Sequence, residues 1–431
     1  MNLYMVSLGC AKNKVDSEMI LGAIYDEVTL VENPEDADLI IVNTCAFIEP
    51  ARKEAIDTIL GLSDYDAKLI VCGCLPQRYK GQLESLLPEV DRFVSIDEYG
   101  DIAKIVESVL NSSFKLAKSF DPLNKINTEP NYMRYVKISE GCMNRCAFCA
   151  IPLIRGKLVS RPIENIVEEV KKSVADGAYE INLISQDTTK YGYDLYKKLA
   201  LVDLLKELVK IEGDFKIRLL YLYPEIVTDE LLDFIKNEPK MMHYFDIPMQ
   251  HSETKILKKM FRRSDKEILT TLFHKIRAMF SDAILRTTII VGFPYEEESD
   301  VDALIDFVKE VKFDRLGAFT FSLEEGTKAC DYPNVITEAT KNARYERLMS
   351  VQSEIALENN KSKIGTVLDD CFIINYDEES YLYVARSYAY APDEVDGCIY
   401  IASPRELTLG ERVKVKVLDC DEYTLTGELV E

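Results

Sequence analysis

The sequence predicts an α/β protein in three parts: an N-terminal doubly wound parallel sheet, a central partial (β/α)6 barrel and a small OB-like β-barrel at the C-terminus. Three observations predict this. Apolar strand-like runs alternate with helical stretches from residue 1 to about 110 and again from 132 to about 360, the pattern of parallel sheets covered by helices. The last seventy residues change to short β-rich runs split by turn signals, as small barrels do. The chain is also too long for one ordinary core, with 431 residues of which 47% are hydrophobic.

In the first unit, residues 1–112, LYMVSL, DLIIVN and KLIVCG are the expected strands, separated by helical stretches such as that around Pro50 to Leu62. Residues 113–131, with Ser, Asn, Asp and two prolines but little periodicity, read as a linker. The central unit, 132–360, offers six strands: YVKIS, EINLIS, KIRLLYLYP, YFDIP, ILRTTIIVGF and LGAFTFS. Barrel chemistry sits at the C-terminal ends of such strands, so site residues are sought in the loops after them. The tail, 361–431, supplies GTVLDDCFII, YLYVARSY, GCIYIAS, RVKVKVL and YTLTGELV.

Charge and cysteine content narrow the function. A net charge of −22 opposes a polyanionic partner and suits a basic protein, although many proteins are acidic without such a reason. The tail is acidic too, with seven Lys and Arg against fifteen Asp and Glu. No basic segment with an apolar run behind it opens the chain, and no apolar run approaches the ~20 residues that span a bilayer. A cytoplasmic location without membrane attachment is expected, where eleven cysteines would be mostly thiols, and their clustering favours metal or redox chemistry.

The strongest cluster is Cys142, Cys146 and Cys149, spaced C-x3-C-x2-C just after YVKIS. Three thiolates at this spacing can hold three corners of a 4Fe-4S cube and leave one iron open for a substrate. A structural zinc site is the alternative, but it usually wants a fourth Cys or His nearby, and no His lies close in sequence. A second set follows strand ends of the first unit: Cys10 after YMVSL, Cys45 after LIIVNT, and Cys72 or Cys74 after KLIV. Ligands of open parallel sheets bind outside such ends, whereas buried free cysteines also serve as small hydrophobes. Cys10 and Cys45 lie two and three residues beyond the last apolar strand position. Cys74 matches that register and repeats the Gly-Cys pairing of Gly9-Cys10, while Cys72 continues the apolar run. Cys74 is therefore the expected third member, and Cys72 a strand cysteine.

SLGCAKNKVDSE, VNTCAF, GCLPQR, GCMNRCAFCAIPLIRGKLVSR, ISQDTTKYG, DIPMQHS and TTIIVGFPYEEE, in this order, resemble the radical S-adenosylmethionine (SAM) methylthiotransferases, and the β-rich tail resembles their TRAM domain. The likeness spans essentially the whole chain. Within the family, one branch methylthiolates a tRNA adenosine beside the anticodon, and the RimO branch an aspartate of the twelfth small-subunit ribosomal protein. LGCAKNKVDSE and the tail segment Arg386 to Gly397 resemble the RimO branch, with Tyr390 standing where that branch usually has Asp. An iron-sulfur electron carrier is a more distant reading, since it would leave the open-iron motif without a use.

The resemblance implies two 4Fe-4S clusters, one on Cys142, Cys146 and Cys149 and an auxiliary one on Cys10, Cys45 and Cys74. It also implies SAM as methyl donor and radical source, a flavodoxin- or ferredoxin-type electron donor, and both clusters facing one cavity. Removing hydrogen from an unactivated carbon needs a radical, which no side-chain acid or base supplies. Other candidates are Ser185, Gln186 and Asp187 after EINLI, Gln250 and His251 after YFDIPM, Gly292 after TTIIV, and Phe148 bordering adenine; each has a plain alternative as a loop or turn residue. Arg155 and Arg161 either balance cluster or carboxylate charge or form surface ion pairs. Cys330, Cys371, Cys398 and Cys420 show no ligand spacing.

Overall fold

A computed structural model of the chain describes residues 1–333, 335–393 and 395–430; Glu394 of the tail segment and Glu431, where the last expected unit ends, lie outside the described residues. Strands β1 (Asn2–Ser7), β2 (Thr29–Leu30), β3 (Leu39–Thr44), β4 (Lys68–Gly73) and β5 (Arg92–Ser95) form a parallel sheet in the order β2-β1-β3-β4-β5. The chain leaves β1 in one direction for β2 and returns in the other for β3, so the strand order reverses between β1 and β3, where doubly wound sheets bind ligands. Three of these strands are the expected apolar runs. The other two, β2 and β5, are two and four residues long, too short to show a pattern of their own.

Helices α1 (Ala11–Ile24), α2 (Glu49–Leu62), α3 (Cys74–Leu86) and α4 (Ile102–Leu110) connect this unit. All of α1 except Lys14 is buried, because the helix is wedged between two cores. Ile20, Leu21, Ala23 and Ile24 pack with Leu3, Leu39 and Ile41 of the sheet, whereas Ala11, Val15 and Met19 pack with Tyr132, Met133 and Tyr135 of the central unit. The segment expected as a linker lies along α1: Lys118 N donates to Ala23 O at 2.8 Å and Ile126 N to Glu18 O at 3.0 Å. It comes so close that a Cβ on Gly22 would collide with the carbonyl of Asn124, which makes glycine the residue that fits there.

In the central unit, β6 (Met133–Lys137) is followed by a small ribbon of β7 (Ser139–Glu140) with β8 (Val159–Ser160), and then by β9 (Glu180–Ile184), β10 (Lys216–Leu219), β11 (Met241–Asp246), β12 (Ile284–Val291) and β13 (Arg315–Thr320). Six of them form an open parallel sheet ordered β13-β12-β11-β10-β9-β6. Strand side chains alternate faces. Val136, Ile181, Leu183, Ile217, Phe245, Leu285 and Ile289 pack outward in the large core with the helices, leaving Glu180, Arg218, Tyr244, Asp246, Arg286 and Arg315 on the other, inner face.

The tail closes into a five-stranded barrel, β14 (Val367–Asp377), β15 (Leu382–Arg386), β16 (Ile399–Ala402), β17 (Arg412–Cys420) and β18 (Leu425–Val430), ordered β14-β15-β16-β18-β17. Arg386, Tyr388, Tyr390 and Asp396 of this unit plug the inner face of the large sheet. Arg386 Nη2 pairs with Glu180 Oε2 at 2.7 Å, Arg218 Nη1 donates to Tyr388 O at 3.0 Å, and Asp396 Oδ2 lies 3.8 Å from Arg286 Nε. Tyr390 is fully buried, with the Arg315 guanidinium 4.4 Å from its ring centre. A cation–π contact thus stands where an aspartate would make an ion pair.

Candidate active site between the sheet and the barrel mouth

Each cysteine of the N-terminal set leaves a strand end at a turn. Cys10 caps α1 at its N-terminus, Cys45 follows β3 directly, and Cys74 is the first residue of α3. Asn13 ties the three turns together: its Nδ2 donates to Leu8 O at 2.9 Å and Thr44 O at 3.0 Å, and its Oδ1 lies 3.7 Å from Cys74 Sγ. A Cβ on Gly9 would stand 2.6 Å from Cys45 Cβ and 3.0 Å from its sulfur. The three thiols therefore share one recess and act on one another's charge. Cys72 faces the opposite way, into the core of Leu39, Ile41, Ile70, Val94 and Tyr99, while Cys74 packs with Val71, Leu75, Ala150 and Ile154.

The electrostatics suit bound metal better than bare thiols. Burial would raise the Cys10 thiol, but Lys12 and Arg155 outweigh it and hold the group below its ordinary value. Burial pushes Cys45 up to about 12, with Cys74 adding to it, and raises Cys74 against the pull of Arg155. Thiols this close cannot all ionise alone, whereas a cationic metal core stabilises the thiolates it binds. Among the described residues no three Cys, His, Asp or Glu side chains are placed to hold a single ion. The thiols of a 4Fe-4S cube each meet a different iron, so that donor set is a wider one.

The second set lies on the loop between β7 and the short helix α5 (Ile151–Ile154). Cys142, Cys146 and Cys149 are half-buried, and burial moves Cys142 up to about 11 and Cys149 further in the same direction. Cys142 N donates to Gly156 O at 3.1 Å and Ala147 N to Met260 O at 2.9 Å, which pins the loop at both ends. Cys146 Sγ lies 3.4 Å from Tyr223 Oη, and Arg262 stacks on that ring at 3.6 Å, within reach of Cys146.

Two bridges join the sets. Arg155 is buried, which removes its reading as a surface ion pair: Nη2 lies 3.5 Å from Cys74 Sγ and 2.5 Å from Asn13 Oδ1, while Nη1 reaches Asp16 at 2.9 Å and Glu140 at 3.0 Å. Glu140 also accepts from Lys137 at 2.7 Å, from Gln186 Nε2 at 3.0 Å and from Gly141 N at 3.1 Å, just before Cys142. The second bridge is the turn after β10, where Tyr221 lies under Lys12 and Tyr223 beside Cys146. Sequence reasoning missed Lys12, Asn13, Asp16, Glu140, Tyr221, Tyr223 and Arg262; the two tyrosines lie at a strand end, where a search by position would have found them.

The remaining expected residues divide. Gln186 stands between the sets, with Oε1 buried and unpartnered among the described residues, as an atom awaiting a ligand would be. Ser185 Oγ accepts from Asp187 N at 3.0 Å, and Asp187 accepts from Asn144 Nδ2 at 2.6 Å, which braces the cysteine loop. Gln250 has a left-handed backbone, φ 72°, bonded to Thr288 and Ile290. Next to it His251 Nε2 lies 3.4 Å from Glu296 Oε2. Gly292 N donates to Glu296 Oε1 at 2.8 Å, and the side of Gly292 where a Cβ would point is filled by Lys341. Phe148 meets Phe293 edge to face at 6.4 Å. Arg161 turns away to Glu169 at 2.6 Å.

Residues 2–95 match the Uncharacterized protein family UPF0004, 136–308 the Radical SAM superfamily, and 364–430 the TRAM domain. With the open six-stranded sheet and the three-cysteine loop at its mouth, these matches define a radical SAM enzyme. The radical SAM methyltransferase TsrM from Kitasatospora setae, solved with cobalamin and a 4Fe-4S cluster, shares the fold at a TM-score of 0.53 and 14% identity, over 74% of each chain. Among curated relatives, the ribosomal protein uS12 methylthiotransferase RimO of Caldicellulosiruptor saccharolyticus is 45% identical over 99% of both chains, and that of Geobacter sulfurreducens 44% identical over 99% of this chain and 98% of its own. The chain belongs to the RimO family of radical SAM methylthiotransferases, transferases whose cofactors are SAM and two 4Fe-4S clusters.

Proposed function

We infer that this chain adds a methylthio group to the β-carbon of an aspartate in ribosomal protein uS12, with Cys142, Cys146 and Cys149 holding the SAM-binding cluster and Cys10, Cys45 and Cys74 the auxiliary one. The observation that carries the reading is the convergence of the two thiol sets, joined by Arg155 and the Tyr221–Tyr223 turn, in a chain related to RimO over its full length. When bound, the clusters and SAM supply the radical, the sulfur and the methyl group. The protein's part is enclosure and placement. Helix α1 lies across the barrel mouth, and Glu324 clamps the N-terminal unit there by accepting from Arg78 Nη1 at 2.9 Å, from Arg52 and from Glu49 N at 3.0 Å. With Arg78 and Glu324 buried, this seam closes the space to outside hydrogen donors and to side reactions of a radical.

Gln186, Phe148, Ser185, Gln250 and Gly292 are the residues offered for SAM, of which Gln186 has the free acceptor. The acidic chain and tail favour a basic protein over tRNA as partner, with charge acting on the encounter rate. A flavodoxin- or ferredoxin-type protein would deliver electrons, and the ribosomal substrate implies the cytoplasm. Among the described residues no helix is long and apolar enough to cross a membrane. The units 1–112, 132–360 and 361–431 joined by 113–131 would then be the auxiliary-cluster, radical SAM and TRAM domains and their strap. Reconstituted enzyme given SAM, a reductant and equal amounts of uS12 and tRNA tests the reading by mass spectrometry. A methylthio gain on the protein is expected, and a gain on RNA alone would refute it.

A further inference from the structure

Lys12 is placed where stability does not favour it. It lies in the first turn of α1, where the helix dipole disfavours a cation, and it is 7% exposed. Its Nζ sits 3.6 Å from the centre of the Tyr221 ring, and among the described residues no carboxylate or other acceptor bonds it. A buried charge is costly, and of the negative groups that act on it Cys10 is assigned by the functional reading to the auxiliary cluster, while Glu140 and Asp246 are already bonded elsewhere. Such a charge beside Cys10, on the bridge between two cofactor loops, marks a site that receives an anion.

The other cations around this space already have partners. Arg155 holds Asp16 and Glu140, Lys137 holds the same two carboxylates, Arg286 faces Asp246 at 3.5 Å and Asp396, and Lys190 reaches Asn144 and Asp187. Asp246, also within range of Lys12, spends Oδ2 on Tyr221 N at 2.9 Å. Any further carboxylate entering here meets Glu140 and Asp246 and needs a cation that is not yet paired. The substrate must bring one, because the carbon that reacts is bonded directly to the aspartate carboxylate.

We propose that Lys12 is the residue that binds the carboxylate of the target aspartate, holding its β-carbon between the two cysteine sets. This rests on the functional reading above. Tyr221 sets the depth of the ammonium through its ring face, and the selectivity follows from charge: a neutral amide or a nucleobase offers Lys12 no anion.

The test uses the reconstituted holoenzyme and two synthetic peptides of the uS12 target loop, one with the target aspartate and one with asparagine in its place. Wild type should prefer the aspartate peptide by about 10- to 100-fold, the range of one hydrogen bond to a charged group. Lys12→Met should remove that preference while keeping the iron content and the electron paramagnetic resonance signals of both clusters, and Lys12→Arg should keep most of it. Equal binding of both peptides by wild type, or an undiminished preference in Lys12→Met, would overturn the proposal and leave the functional reading standing. Loss of auxiliary iron in Lys12→Met would also overturn it, by making Lys12 a counter-ion of the cluster. Failure of wild type to modify uS12 at all would instead overturn the functional reading and this inference with it.

Discussion

Gly73 has φ 100°, and a Cβ there would collide with Asn43 Oδ1 and stand 2.7 Å from Thr44 O. This turn reverses the side-chain direction between Cys72 and Cys74, sending one thiol into the sheet core and the other to the recess. The sequence showed the difference, because two residues past the apolar run a strand has ended and a helix has begun. Cys72→Ala should therefore leave both clusters loaded and cost about 1 kcal/mol of stability for the lost contact, read from a urea unfolding curve. The roles of Arg155 and Lys12 were not legible in the same way. The partners of Arg155 lie up to 142 residues away along the chain and Tyr221, the partner of Lys12, lies further still, and nothing local distinguishes a buried arginine from a surface one. Arg155→Leu would leave the carboxylates Asp16 and Glu140 with Lys137 as their one shared cation and Asn13 Oδ1 without its guanidinium donor. It should destabilise the protein by roughly 3–5 kcal/mol, and Arg155→Lys by less, since lysine restores the charge without the fork.

Among the elements, α1 carries the most. A helix covered on both sides loses the one-sided apolar stripe by which surface helices are recognised, so the reading found the motif residues around it but not the helix as the wedge between two units. The same holds for residues 113–131, whose composition suggests a free linker and whose backbone lies on α1. Gly22→Ala tests that contact. The added methyl must displace the strap at Asn124, costing about 1–3 kcal/mol as overpacking does. Faster amide hydrogen exchange at Lys118 and Ile126, both bonded to α1 carbonyls, would show where the strap lifts.

At the scale of the whole molecule, the three-part organisation and fourteen of the longer strands among the described residues could be read from period and turn signals, but not the way the tail barrel plugs the central sheet. That junction centres on Glu180. Burial would raise its carboxyl, yet Arg218 and Arg386 outweigh burial and hold it at about 2, against an ordinary 4.5. A depressed carboxyl contributes stability that is complete above its unfolded value and is lost as pH falls towards the folded one. The junction should weaken by roughly 3 kcal/mol between pH 4.5 and 2, which limited proteolysis between the units would follow, and Glu180→Gln should flatten that dependence.

The proposed reaction requires two cofactor sets to meet at one site. The most direct measurement is iron content with electron paramagnetic resonance on a variant in which Cys10, Cys45 and Cys74 are all alanine. It should bind about four irons per chain instead of about eight, keep the reduced SAM-binding cluster and its cleavage of SAM, and insert no methylthio group. A variant that kept all its iron, or still modified uS12, would contradict the account.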